Sequence, residues 1–200
     1  METYRTVAGR GRDRFSVRGS EFIGHVAPAE TVEAAEAFVA EVTEAHADAT
    51  HNVPAYRVRA DPLREYADDA GEPGGSAGKP ALNVLQGEGL ENVVAVVTRY
   101  FGGTELGVGG LARAYSQGVK VAVADAGVLE REPRERFTVA VEYDDSGTVR
   151  SVLESATADF EAAYEATVTF AVAVPASEAA ALRDRLRSAT SGRARLDVED

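Results

Sequence analysis

Two glycine-rich loops hold most of the residues whose types and spacing could do chemistry. The first, GEPGGSAGKP, carries Gly74, Gly75, Gly78 and Lys79; the second, FGGTELGVGG, carries Gly102, Gly103, Gly107, Gly109 and Gly110. Each opens a helix-like segment, and an apolar strand, ENVVAVVTRYF, runs between them with Arg99 at its end. Glycine lets backbone N–H groups approach an anion, and a helix N-terminus adds unpaired donors and partial positive charge, so the pattern suits phosphate. On the second helix Arg113, Gln117 and Lys120 fall at i, i+4 and i+7 and form one ridge. The expected contact set is Lys79, Arg99, Arg113 and Lys120 with the backbone donors of Gly102, Gly103, Gly109 and Gly110. Arg99, which ends a buried strand, has one alternative: a structural ion pair to Glu72 or Glu105. Any one glycine could merely serve a turn or close packing, but two loops flanking one strand beside several bases favour binding.

Three enzyme-like patterns fail on inspection. PGGSAGKP resembles a P-loop, yet Pro73 stands where its first glycine belongs and Pro80 replaces the hydroxyl residue that would hold magnesium. Gly74 to Gly78 match G-x-S-x-G around Ser76, but a Pro-Gly loop leads into it and His25, His46 and His51 all precede it, against the order of that triad. Gly107, Gly109 and Ala112 fit a dinucleotide turn with Glu130 downstream, but the residues from Phe101 to Leu106 make the turn too long and no further βα units follow. Asp68, Asp69 and Glu72 could share a magnesium ion, although such a run is more often a solvated loop. The three histidines lack metal spacing, and His46 and His51 read as surface residues. Tyr100, Phe101 and Tyr115 could stack on bases, though a core role suits at least two of them, since Tyr115 lies on an apolar stripe. No catalytic residue, metal or cofactor is implied.

Composition narrows the partners. Between Gly71 and Lys120 four acids meet four bases, while the other 150 residues hold 29 acids and 17 bases in a chain of net charge −12. Surplus acid is kept out of the block, which marks it as the place to meet an anion. Lys79 and Lys120 are the only lysines, and such an acidic, lysine-poor surface resembles proteins that work in concentrated salt, where repulsion is screened. A halophilic RNA-binding protein can therefore be acidic overall. The absence of cysteine excludes disulfides, thiolate chemistry and cysteine-ligated zinc. No apolar run is long enough to span a membrane and the N-terminus has no signal-like core, so the expected location is cytoplasmic.

GEPGGSAGKP followed by VVTRYFGGTELGVGGLARAYSQGV resembles the signature of the IMPACT/YigZ family, and the likeness runs from SEFIGHVAPAETVEAAEAFVAEV to the C-terminal segment. The resemblance implies two α+β domains, a tie to translation and nucleic acid, and no established reaction. It implies a left-handed βαβ N-terminal domain like those of ribosomal proteins and elongation factor G, and a C-terminal domain similar to another elongation-factor module.

The patterning agrees. Residues 4 to 28 read as two or three short antiparallel strands and Thr31 to Ala47 as an amphipathic helix. His51 to Ala60 is a strand in which Pro54 favours an edge or a bulge, and residues 61 to 80 are a long loop with a short strand near YADD. Leu111, Ala114, Tyr115, Gly118, Val119 and Ala122 give the second loop's helix a small apolar face for close packing on a sheet. Charge and proline in VLEREPRER mark a linker near 131 to 135. Beyond it the order βαββαβ is ferredoxin-like. The expectation is thus a first domain over 1–133, a sheet of mixed strands covered by two helices, and a second over 136–200. The function expected is a non-enzymatic RNA-binding or ribosome-associated regulator of translation. The alternatives are a binding protein or enzyme for a small phosphorylated metabolite or nucleotide at the same loops, or a protein adaptor.

Overall fold

Val93 to Val97 are five consecutive residues at most 1% exposed, which only a strand covered on both faces can satisfy. The computed structural model, which describes residues 3–60 and 62–198, builds a first compact unit, Tyr4–Arg131, around that strand. Its order is β1 (Tyr4–Val7), β2 (Gly11–Val17), β3 (Ser20–Pro28), α1 (Val32–Ala45), β4 (His51–Val58), β5 (Arg64–Ala67), α2 (Gly78–Gly87), β6 (Val93–Tyr100), α3 (Gly107–Ala126) and β7 (Val128–Arg131). Five strands form one sheet in the order β2-β3-β6-β4-β5, with every neighbouring pair antiparallel. Three helices cover it rather than the expected two. Val93, Ala95 and Val97 face α2 and α3, while Val94 and Val96 face α1.

Small residues set how closely α3 approaches. A Cβ on Gly24 of β3 would stand 1.9 Å from the Gly118 carbonyl oxygen, and one on Gly118 would stand 2.6 Å from Val97. Helix α1 starts at Thr31, whose hydroxyl accepts from the Ala34 N–H at 3.1 Å, and buries Ala35, Phe38 and Val42.

Two expectations change. Pro54 lies in an interior strand: its carbonyl accepts from the Asp68 N–H, so its nitrogen also faces the β5 side, where the β4–β5 ladder runs only from Ala55 to Val58. No bond to β6 is lost. The charged VLEREPRER segment contains strand β7, paired antiparallel with β1 from Tyr4↔Arg131 to Val7↔Val128, and only Glu132 and Pro133 precede the next strand.

The second unit contains Glu132 and the residues after it. It runs β8 (Arg134–Val141), α4 (Tyr143–Glu154), β9 (Asp159–Tyr164), β10 (Val168–Pro175), α5 (Ala176–Ala189) and β11 (Arg195–Val198). The antiparallel sheet order β11-β8-β10-β9 is the ferredoxin-like arrangement the sequence predicts. Phe137, Phe170, Leu153 and Leu186 centre its core.

Candidate functional site

The alternation of β6 continues past its apolar part, so Arg99 points to the α2–α3 face. There it meets the first loop. Arg99 Nη1 donates to Glu72 Oε1 at 2.7 Å, and the Tyr115 hydroxyl of α3 donates to the same oxygen at 2.6 Å. His51 Nε2 stands 3.7 Å from the other carboxylate oxygen, and Arg99 Nη2 reaches Ser20 Oγ at 3.4 Å. Glu72 is 8% exposed and Arg99 5%. Burial, then the hydrogen bond to Glu72, push the Tyr115 phenol well above its ordinary pKa.

Arg99 is therefore a corrected expectation. Its guanidinium lies inside the domain, between the Phe22 and Phe101 rings at 5.7 and 5.3 Å, as the buried counter-ion of Glu72. Glu72, read from sequence with Asp68 and Asp69 as a solvated or magnesium-binding run, is an interior carboxylate joining both halves of the glycine motif. Among the described residues no group of three or more His, Asp or Glu is placed to hold a metal.

The first loop already contains an anion. Asp69 turns its carboxylate into the loop and accepts from the N–H groups of Gly75 (2.8 Å), Ala77 (3.1 Å) and Gly78 (2.8 Å). These bonds, Gly75 first, hold its carboxyl below the usual range against the opposing effect of burial. Helix α2 has no side-chain cap at Ala77, its N-cap residue, because Asp69 does that work from eight residues earlier. Gly78 is required by close approach, since a Cβ there would stand 2.6 Å from the Asp68 carbonyl oxygen. Lys79 stays exposed at the first turn.

The second loop is arranged differently. Gly102 is structural: its N–H donates to Ser20 Oγ at 3.1 Å and a Cβ would lie 1.9 Å from Gly19. Gly103 and Gly107 take φ of 86° and 70°, and α3 then begins with no side-chain cap and no acid in its first turn. Gly109 and Gly110 lie in that turn, and Arg113 folds back so that its Nη1 would be 3.5 Å from a Cβ on Gly109. Lys120 is exposed farther along the same helix. Ser116 Oγ donates to the Pro80 carbonyl at 3.3 Å, which brings the first turn of α2, and Lys79 with it, against the middle of α3. The fold thus gathers Gly109, Gly110, Arg113, Lys120 and Lys79 on neighbouring helices, leaves Gly103 in the connecting loop, and withdraws Arg99 and Gly102.

Of the aromatic candidates, Tyr115 is fully buried, Tyr100 is partly buried, and Phe101 is 49% exposed beside the loop. The sequence reading missed the histidine environments. His51 is partly buried, with Nδ1 on the Ala70 carbonyl at 2.7 Å, and His25 and His46 bring their rings to 5.1 Å. A signal for Asp69 did exist: an acid just ahead of a glycine-rich turn, two residues before the charge-balanced segment that begins at Gly71. No described helix is long and apolar enough to cross a membrane.

Comparison with known proteins follows the same two units. The Impact N-terminal domain family matches residues 18–123, and a domain of unknown function, DUF1949, matches residues 139–193. The chain is 34% identical to IMPACT family member YvyE of Bacillus subtilis over 194 residues, 96% of this chain and 89% of that one. It is 36% identical to IMPACT family member YigZ of Escherichia coli over 183 residues, 90% of each chain. A crystal structure described as that of an hypothetical protein aligns over 100% of this chain and 98% of its own, with 33% identity and a TM-score of 0.76.

Proposed function

Because the chain belongs to the IMPACT family, we propose that it is a non-enzymatic, RNA-binding or ribosome-associated regulator of translation that meets phosphates at the start of α3. The observation that carries this reading is the open first turn of α3, without a side-chain cap or an acid and with the Arg113 guanidinium folded over Gly109. Unpaired N–H groups, the helix dipole and one mobile cation are what a phosphate needs. Lys120 lies on the same helix, about 10 Å farther along at 1.5 Å per residue, and Lys79 lies on the adjoining one. Exposed Phe101 offers a face on which a base can stack. The tie to translation comes from the family resemblance, and the ferredoxin-like second unit is compatible with it.

Co-sedimentation with ribosomes and titration with single-stranded RNA test the reading. Arg113→Ala and Lys120→Ala should each weaken binding at unchanged melting temperature, and each lost phosphate contact should shallow the log-log salt dependence by about 0.7. Saturation of the same residues by a mononucleotide, with no affinity for RNA or ribosomes, would replace it with a site for a small phosphorylated ligand.

A further inference from the structure

On the opposite face of the sheet, remote from the Arg99–Glu72 pair, a cavity of about 390 Å³ opens between the C-terminal half of α1 and the edge formed by β2 and β3. Its volume lies in the range of small-molecule sites. Phe38, Val42 and Ala45 of α1 give it an apolar wall, and Arg12, His25 and His46 give it a polar one. Arg12 lies directly across the β2–β3 ladder from His25, so both side chains share the α1 face.

The hydrogen bonds fix what the imidazoles present. Tyr100 gives its hydroxyl hydrogen to Asp48 Oδ1 at 2.9 Å and therefore accepts from His46 Nδ1 at 2.9 Å, which leaves His46 Nε2 open. Thr98 gives its hydrogen to Asn52 Oδ1 at 2.7 Å and accepts from His25 Nε2 at 3.3 Å, which leaves His25 Nδ1 open. Neither open nitrogen has a hydrogen-bond partner among the described residues, although His25 is only 7% exposed. We propose that this cavity binds a small organic anion, a carboxylate or phosphate ester with a compact apolar body, between the Arg12 guanidinium and the open nitrogens of His25 and His46.

Charges of both signs line the cavity, Arg10 and Arg12 against Glu41 and Asp125, and Arg12 is the cation whose guanidinium has no carboxylate partner among the described residues. Glu41 is paired with Arg10, Asp125 accepts from the Arg12 backbone N–H at 2.9 Å, and Asp48 is taken by Tyr100. Glu21 lies across the ladder from Tyr100 at the strand end. Arg12 keeps its charge toward the cavity, and no third metal ligand joins the two imidazoles among the described residues. Burial, then His46, then Arg12 press the His25 pKa down to about 4. An anion between these groups cancels that repulsion and favours the protonated His25 ring, so binding takes up a proton there and tightens as pH falls toward the His25 value.

Phenyl phosphate and benzoate are the probes, with the imidazole Cε1–H signals followed by NMR. The His25 and His46 signals should shift and saturate with at least one probe, the stronger probe identifying the anionic group. Affinity should rise on mild acidification, and Arg12→Gln, a change at an exposed position, should lower it about tenfold for the loss of one charge-assisted hydrogen bond. Signals unmoved by both probes, or equal affinity in a normally folded Arg12→Gln protein, would overturn the proposal.

Discussion

The two glycine-rich loops differ in which molecule supplies the negative charge. At the first, the chain folds its own carboxylate onto the backbone donors: Asp69 takes the N–H groups of Gly75, Ala77 and Gly78 and caps α2 from within. At the second, the donors at the head of α3 meet no side-chain cap, and Arg113 lies over them. The loops flank one strand and share similar glycine spacing, and each opens a helix. Glycine content alone therefore does not distinguish a finished structural joint from a docking place; the location of the nearest carboxylate does.

The largest expected effect concerns the pair that braces both loops. Glu72→Ala leaves the Arg99 guanidinium buried without its counter-charge and should cost about 3–5 kcal/mol, read from the shift in urea midpoint. Replacing both partners, as Glu72→Leu with Arg99→Met, should recover a good part of that loss, because an apolar pair carries no uncompensated charge. An unchanged midpoint in Glu72→Ala would mean that the two loops are held independently.

Asp69→Ala should come next, at about 1–3 kcal/mol for three backbone donors returned to water. The sign of the pH dependence follows from its lowered pKa. The folded state binds this proton less readily than the unfolded chain, so the Asp69 contribution is complete above the ordinary carboxylate range and is lost as pH falls through the lower folded value. Asp69→Ala should accordingly flatten the acid limb of the stability curve. It should also give the first loop a measurable affinity for inorganic phosphate, which would make it resemble the second.

Legibility in the sequence divides along similar lines. Helix α1, the close packing of α3 through Gly118 and the βαββαβ order of the second unit were readable because they rest on local periodicity and small residues. Strand β7 was not readable: three of its four residues are exposed or charged and its partner β1 lies at the other end of the unit, so no apolar alternation announces it. Arg99 and Glu72 are 27 residues apart, and Tyr115 lies on a third element, so the sequence offers their pairing only as an alternative to phosphate contact, with Glu105 an equal candidate. One clue was available. Arg99 continues the odd-numbered face of β6, where Val93, Ala95 and Val97 are buried. His25 and His46 also meet only through a fold that lays α1 beside β3, which no spacing rule for metal ligands detects.

The inverse of emptying the first loop is filling the second. Gly109 has no positive φ, and a Cβ there would meet only the flexible end of Arg113 at 3.5 Å, so Gly109→Asp is sterically acceptable. Its carboxylate would pair with Arg113 and the helix dipole, adding about 0.5–1 kcal/mol of stability while blocking the open donors. Loss of RNA affinity together with a raised melting temperature is the expected combination. Retained affinity would place the contact away from the head of α3.

The smallest effect separates the two loops by their lysine and arginine. Lys79 stands at the first turn of α2, where Asp69 already satisfies the donors, so an arriving phosphate finds a single flexible ammonium there. Arg113 stands beside the first-turn N–H groups of α3, which meet no side-chain cap, and can offer a planar, multiply donating group next to them. Lys79→Ala should therefore reduce RNA affinity less than Arg113→Ala does, by only a fraction of the effect, with both variants melting like the unaltered protein because exposed cations contribute little to folding. In the background of Asp69→Ala the order should tighten, since the first loop then has free donors to cooperate with Lys79. Equal losses for Lys79→Ala and Arg113→Ala in the unaltered background would show that charge alone, and not an open helix terminus, sets the affinity, and the distinction between the two loops would then have no bearing on binding.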